Sequence, residues 1–172
     1  MEKIIITTSF GLESLIKRQL LEEGYKDFKV LNGKIILNGN LDDIGYLNLN
    51  LREADRVFLE ISSFEAKSFE QLFENINKID WFDYLNIDDN FIVNARTYKS
   101  KLFSLPSIQS ISEKAIINSL KRKYKISTFK KTGTRVKIEV MIEKNIVSLC
   151  LDTSGDGLHK RGYREVAVIK AP

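Results

Sequence analysis

Two residues, Asn32 and Gly33, stand between two short β-rich runs, Phe28 to Leu31 and Lys34 to Leu37. Both residue types accept positive φ, so the pair specifies a tight hairpin whose twist matches its strands. That hairpin narrows the arrangements open to its neighbours. Before it lie a strand, Lys3 to Thr8, and a helix, Phe10 to Glu23, with Leu12, Leu15, Ile16 and Leu20 on one face. Ser9 is the expected N-cap and Gly24 the expected stop. After it come a helix from Leu41 to Leu51, carrying Ile44 and Leu47, and a strand from Asp55 to Phe64. Val57, Leu59 and Ile61 alternate there against Phe58 and Glu60. The order β-α-β-β-α-β is the ferredoxin-like arrangement. It is complete near residue 65, which makes 1–65 a first domain of an α/β (α+β) chain.

A second unit, 66–165, follows. Ser68 to Ile79 has Phe69, Leu72, Phe73 and Ile76 spaced for one helical face. Trp81, Phe82, Tyr84 and Leu85 form an aromatic cluster, expected to pack the joint between the units. As a stacking platform it is disfavoured, because Asp80, Asp83, Asp88 and Asp89 surround it and repel phosphate. Phe91 to Tyr98 is a strand. Pro106 opens a helix to Tyr124, proline being well placed in a first turn. Its core face carries Ile108, Ile111, Ala115, Ile116 and Leu120. Lys114, Asn118, Lys121 and Lys125 recur on another face, reinforced by Arg122 and Lys123. Lys130, Lys131 and Gly133 mark a loop. Strands from Arg135 to Ile142 and from Ile146 to Thr153 are expected to join Phe91–Tyr98 in a sheet separate from that of the first unit.

Composition removes several function classes. One cysteine excludes an internal disulfide, and Cys150, among Val147, Leu149 and Leu151, reads as a buried strand residue. His159 is the single histidine and has no Cys or His partner for a metal. No apolar run approaches the roughly 18 residues of a membrane span, and the N-terminus lacks a signal-peptide pattern. A cytoplasmic protein is expected. The net charge of +4 hides an asymmetry: residues 1–95 hold 10 Lys and Arg against 17 Asp and Glu, and residues 96–172 hold 17 against 6. A basic second half points to a polyanion.

The stretch from Leu149 to Arg164 starts as an apolar strand, breaks at Gly155 and Gly157, and turns basic at Lys160, Arg161 and Arg164, with His159 and Tyr163 between. Taken alone it reads equally well as a solvated turn with a charged tail. Beside the basic second half it suits phosphate contact and ring stacking. It is no dinucleotide fingerprint, because Lys160 stands where the third glycine belongs and no helix pattern follows. No triad, metal cluster or cofactor motif is present in the sequence.

Lys99-Ser100-Lys101-Leu102-Phe103-Ser104-Leu105-Pro106, followed by Gln109-Ser110 and Lys114-Ala115-Ile116, resembles a THUMP domain. That RNA-binding module is shared by thiouridine synthases, RNA methylases and pseudouridine synthases. Leu151-Asp152-Thr153-Ser154-Gly155-Asp156-Gly157-Leu158-His159-Lys160-Arg161-Gly162-Tyr163-Arg164 resembles one branch of it, the large-subunit ribosomal RNA guanine-N2 methyltransferases. That branch has also carried the label N6-adenine-specific DNA methylase. The resemblance covers the whole chain and implies a ferredoxin-like domain, 1–65, ahead of a THUMP domain, 66–165.

The family's Asn-Pro-Pro-Tyr motif is absent, since the prolines are Pro106 and Pro172. Residues 166–172 are therefore expected to begin a linker to a methyltransferase domain outside this sequence. S-adenosylmethionine would belong to that domain and no cofactor to this chain, which is expected to be non-catalytic. The expected partners are RNA, ribosomal above all, and the chain's own methyltransferase domain, with no membrane. Lys99, Lys101, Lys114, Lys121, Lys160, Arg161 and Arg164 are the expected phosphate contacts. Gln109 would bond a ribose or base edge and Tyr163 would stack, while Gly155 and Gly157 shape the turn. The rival readings are a protein-interaction or linker module of the same enzyme and the specificity domain of a DNA adenine methylase.

Overall fold

The computed structural model describes residues 1–125, 129 and 131–155. In chain order its elements are β1 (Glu2–Thr7), α1 (Glu13–Glu22), β2 (Phe28–Leu31), β3 (Lys34–Gly39), α2 (Leu41–Asn50), β4 (Arg56–Glu65), α3 (Phe69–Asn77), a 3-10 turn (Trp81–Asp83), β5 (Asn90–Tyr98), α4 (Leu105–Tyr124), β6 (Arg135–Glu143) and β7 (Ile146–Asp152). The described chain forms two compact units, 1–59 with 152–155, and Glu60–Leu151.

The seven strands hydrogen-bond in the order β2-β3-β1-β4-β7-β6-β5. This overturns the expectation of two separate sheets. The physical reason is β4, which is 10 residues long, begins in the first unit and ends in the second.

In the first unit the expected β-α-β-β-α-β order forms. The hairpin at Asn32-Gly33 pairs Leu31 with Lys34, and β3 continues antiparallel along β1 from Lys34↔Thr7 to Gly39↔Glu2. Ile4 and Ile6 of β1, Ile16 and Leu20 of α1, Ile35 and Leu37 of β3, and Ile44 and Leu47 of α2 fill one core. Helix α1 starts at Glu13 rather than Phe10, and Ser9 does not cap it; Leu12 stands at the N-cap without a side-chain bond. Gly11, at φ +91°, breaks the helical path. The Glu13 carboxylate takes over, accepting from Gly33 N at 2.7 Å and Gly11 N at 2.8 Å. These bonds, that from Gly33 foremost, hold its carboxyl below the usual range.

Helix α2 carries a cap that the sequence reading did not name. Asn40 Oδ1 accepts from Asp43 N at 2.9 Å, and Asp43 Oδ2 accepts from Asn40 N at 2.7 Å, a reciprocal capping box. A Cβ at Gly39 would come within 2.9 Å of Asp43 Oδ2 and of Ile4 Cδ1, so a larger residue there would have to displace the ends of those two side chains. Asp43 Oδ1 also accepts from Tyr25 Oη at 2.8 Å. Burial and then that bond push the Tyr25 phenol from 10.0 up to about 12. The folded state thus favours the neutral phenol. Its contribution is fully present below pH 10 and lost as pH rises through about 12. A phenolate absorbance titration of the native protein is expected to show a late-ionising phenol near pH 12 that Tyr25→Phe removes.

In the second unit β5 and β6 run parallel, from Asn90↔Arg135 to Tyr98↔Glu143. Parallel neighbours need a crossover, and α4 supplies it. Strands β6 and β7 form a hairpin through Lys144 and Asn145. Phe91, Val93, Ile138, Val140, Val147 and Leu149 pack against Leu72 and Ile76 of α3 and Ile108, Ala115, Ile116 and Leu120 of α4. Of the aromatic cluster, Trp81 and Leu85 lie in this core, while Phe82 is half-buried and Tyr84 is exposed. Trp81 is fully buried and donates from Nε1 to Ile76 O at 2.9 Å; Tyr84 meets its ring edge-on, centroids 6.3 Å apart. Ser68 caps α3, its side chain accepting from Gln71 N at 3.2 Å. Cys150 is buried in β7.

Candidate nucleic-acid interface

The loop from Tyr98 to Leu105 joins β5 to α4 and carries Lys99 and Lys101, both exposed. It is held against the β6–β7 turn. Lys144 N donates to Tyr98 O at 3.0 Å, Lys101 N donates to Asn145 Oδ1 at 2.8 Å, and Asn145 N donates to Ser100 Oγ at 3.0 Å. Ser100 Oγ donates in turn to Tyr98 O at 2.9 Å. Lys99 sits at φ +47° with its Nζ 5.2 Å from the Tyr98 ring centroid, within cation–π range. Thr97 Oγ1 donates to Leu102 O at 2.7 Å and fixes the last part of the loop.

Helix α4 begins directly after this loop, with Pro106 in its first turn. Gln109 is half-buried, and Lys114 and Lys121 are exposed. At 1.5 Å per residue, Lys114 lies about 14 Å and Lys121 about 24 Å along the axis from the helix start. The expected lysines therefore do not form one cluster: Lys99 and Lys101 sit at one end of α4 and Lys121 at the other. Lys114 borders an apolar groove of about 290 Å³ with Phe69, Phe73 and Ile111, and Glu70 and Glu74 share that groove. Two carboxylates beside Lys114 offset its attraction for phosphate. The reinforcing cations near the helix end have intramolecular duties. Arg122 Nη2 donates to Asn77 O at 3.1 Å, and Lys123 Nζ lies 4.4 Å from the Phe82 ring centroid. Asn118 Nδ2 bonds Asn77 Oδ1 at 3.1 Å, and Glu113 pairs with Lys131 at 3.6 Å.

The segment after β7 returns to the first unit. Asp152 Oδ2 meets Arg56 Nη1 at 2.5 Å, and that guanidinium also reaches Gly155 O at 3.0 Å. Thr153 donates from N and Oγ1 to Val57 O, at 3.1 and 2.7 Å. Val57 N donates to Ser154 Oγ at 2.7 Å. Asn48 ties the clasp together, donating from Nδ2 to Thr153 Oγ1 at 2.9 Å and accepting at Oδ1 from Ser154 Oγ at 2.8 Å. Asp152, Thr153 and Ser154 thus anchor the chain, and Gly155 leaves the clasp at φ +62°. Gly157, Lys160, Arg161, Tyr163 and Arg164 lie outside the described residues.

Four residues escaped the sequence reading. Asn48 and Arg56 are polar partners supplied from far away in the chain, which no local pattern signals. Glu139, buried in β6, accepts from Arg96 Nε at 2.6 Å; an acid inside an apolar strand run was the available clue. Lys144 lies in the hairpin turn beside the Lys99 loop, although a lysine in a turn reads as ordinary surface. Among the described residues, no group of three or more His, Cys, Asp or Glu could hold a metal ion. No helix among them is long and apolar enough to cross a membrane.

Comparison with known proteins follows the same division. A family model for the RlmL ferredoxin-like domain matches residues 3–58. One for the THUMP domain matches residues 66–152. The chain is 38% identical over 163 residues to "Putative RNA methyltransferase YpsC" of Bacillus subtilis (strain 168), covering 94% of this chain and 42% of that protein. It is 30% identical over 169 residues to "Ribosomal RNA large subunit methyltransferase K/L" of Buchnera aphidicola subsp. Acyrthosiphon pisum (strain APS), covering 96% of this chain and 24% of that protein. Among solved structures it is similar to that of a predicted N6-adenine-specific DNA methylase from Listeria monocytogenes str. 4b F2365. There the TM-score is 0.89 at 42% identity, over 98% of this chain and 44% of that one. The chain spans less than half the length of each of these relatives.

Proposed function

The chain belongs to the THUMP-domain family, with an RlmL ferredoxin-like domain ahead of that module, and from that membership we propose that it is the RNA-holding part of an S-adenosylmethionine-dependent RNA methyltransferase. Ribosomal RNA is the proposed substrate, with a guanine N2 as methyl acceptor. The observation that carries this is the coincidence of the THUMP match, 66–152, with the stretch bearing Lys99, Lys101, Lys114 and Lys121. The K/L relative, named for ribosomal RNA methylation, supports the substrate. Methyl transfer, and the donor S-adenosylmethionine, are assigned to parts of the relatives that these 172 residues do not span.

The mechanism proposed is delivery. Lysine ammonium groups meet phosphates, and the held strand is then presented to the methylating domain. Tethering replaces a bimolecular search by an effective concentration of about millimolar for a short linker. The test is a binding titration at several salt concentrations. RNA affinity is expected to fall with a slope of about −0.7 in log K against log salt for each single-strand phosphate met. A flat response would overturn the reading and leave a protein-interaction module. Equal or tighter retention of duplex DNA at the same salt would favour DNA, the substrate in the Listeria protein's name.

A further inference from the structure

The 98–105 loop exposes more than lysines. Phe103 is 78% exposed and Tyr98 is 56% exposed. Leaving a phenyl ring in water forgoes the stabilisation that burial would give, yet this ring is not on a slack loop tip. Its neighbour Leu102 is buried, 4% exposed, and its carbonyl is pinned by Thr97 Oγ1. With Leu102 turned inward and Ser104 opening α4, the Phe103 side chain has only the outward direction left.

The backbone around it is unusual in the same way. Lys99 at φ +47°, Lys144 at φ +50° and Asn145 at φ +67° are all left-handed. Asparagine tolerates that region, whereas lysine pays a steric penalty there. Glycine would suit both lysine positions better for folding alone, and Lys125 and Lys131 share the conformation at φ +52°. From 98 to 105 the loop has no acidic side chain. Across the turn, Glu143 ends β6, and Glu65 is paired with Lys67 at 2.6 Å.

Resting on the RNA reading above, we propose that this loop and the adjoining turn are a stacking site for unpaired bases, with Phe103 and Tyr98 as the rings and Lys99, Lys101 and Lys144 on the flanking phosphates. Lys99 covers one face of the Tyr98 ring, so the other face takes a base. Phe103 offers a face without specific hydrogen bonds. Such a site accepts any unstacked base and rejects a closed duplex, whose base faces are already covered. The substrate it selects is an RNA end, loop or bulge. A protein surface would need only the rings; three cations set around them favour the nucleic acid.

The probe is a short single-stranded oligoribonucleotide carrying 2-aminopurine, with a duplex RNA of the same length for comparison. The wild-type chain is expected to quench the fluorophore on binding and to prefer the single strand. Phe103→Ala and Tyr98→Ala together should weaken single-strand binding by about 10- to 100-fold and abolish quenching, with the salt slope unchanged. Phe103→Trp should retain quenching. Lys99→Gly with Lys144→Gly should leave the melting temperature equal or higher, keep quenching, and reduce the salt slope by about 1.4. Circular dichroism checks the fold of each variant. If the wild type binds RNA and the ring variant matches it in affinity and quenching, the stacking site is overturned while the RNA reading stands. Phe103 would then be a protein contact. If the wild type binds neither RNA, the RNA reading itself falls, and the stacking site with it.

Discussion

Trp81→Ala is expected to cost about 3–5 kcal/mol of folding stability, the range for deleting a buried large aromatic. Trp81 is fully buried, packs among the side chains that join α3 and α4 to the sheet, and donates its indole N–H to Ile76 O. Removal leaves a cavity and takes one donor from Ile76 O, which still accepts from Ile79 N at 3.3 Å. Trp81→Phe separates the two, since it keeps most of the volume and loses the indole donor, at about 0.5–1.5 kcal/mol for that bond. Thermal melts should show the alanine variant lower by the order of 10 °C, with phenylalanine in between. RNA binding should weaken in proportion to the unfolded fraction, because α4 and the loop before it rest on this core. A melt unchanged in Trp81→Ala would mean that Trp81 does not hold the second unit together.

Changing Lys160, Arg161 and Arg164 together to Ala is expected to leave the fold intact, because the clasp that ends the described chain uses Asp152, Thr153 and Ser154 instead. RNA affinity should fall, and the salt slope should shrink by about two units if all three meet single-strand phosphates. The paired change of Lys114 and Lys121 should have a smaller effect, since Glu70 and Glu74 already oppose Lys114. Gel-shift titrations across salt, with circular dichroism as a fold control, compare them. Equal losses in the two variants would place α4 and the tail on one surface; unchanged affinity in both would move the RNA face to the Lys99 loop alone.

Local pattern was enough for the element order. Asn32-Gly33, the period of Leu72 and Ile76, and Pro106 each act within a few residues, and each element they announce is present. Element ends were less legible where one residue overrode a period, as Gly11 did at α1. The seven-strand sheet was not legible, because alternation in β4 says which side chains alternate and nothing about which strand lies alongside. The candidate interface divides similarly. Lys99 and Lys101 could be named from the letters around them. That Arg122 and Lys123 are occupied by Asn77 and Phe82, or that Asp152 and Ser154 anchor rather than bind, depends on partners remote in the chain.

The clasp at Val57 has a consequence for biosynthesis. Its amide and carbonyl are met by Ser154 and Thr153, 97 and 96 residues further along. A ribosome adding 5–20 residues per second supplies those partners about 5–20 s after Val57 emerges. The four strands and two helices at the start of the chain are made first but receive their closing hydrogen bonds last, after all of the second unit has been synthesised. A nascent chain halted before Asp152 would carry a first unit that is collapsed around its isoleucines yet unlatched, and the same unfinished species should be met by any protease or chaperone acting during translation.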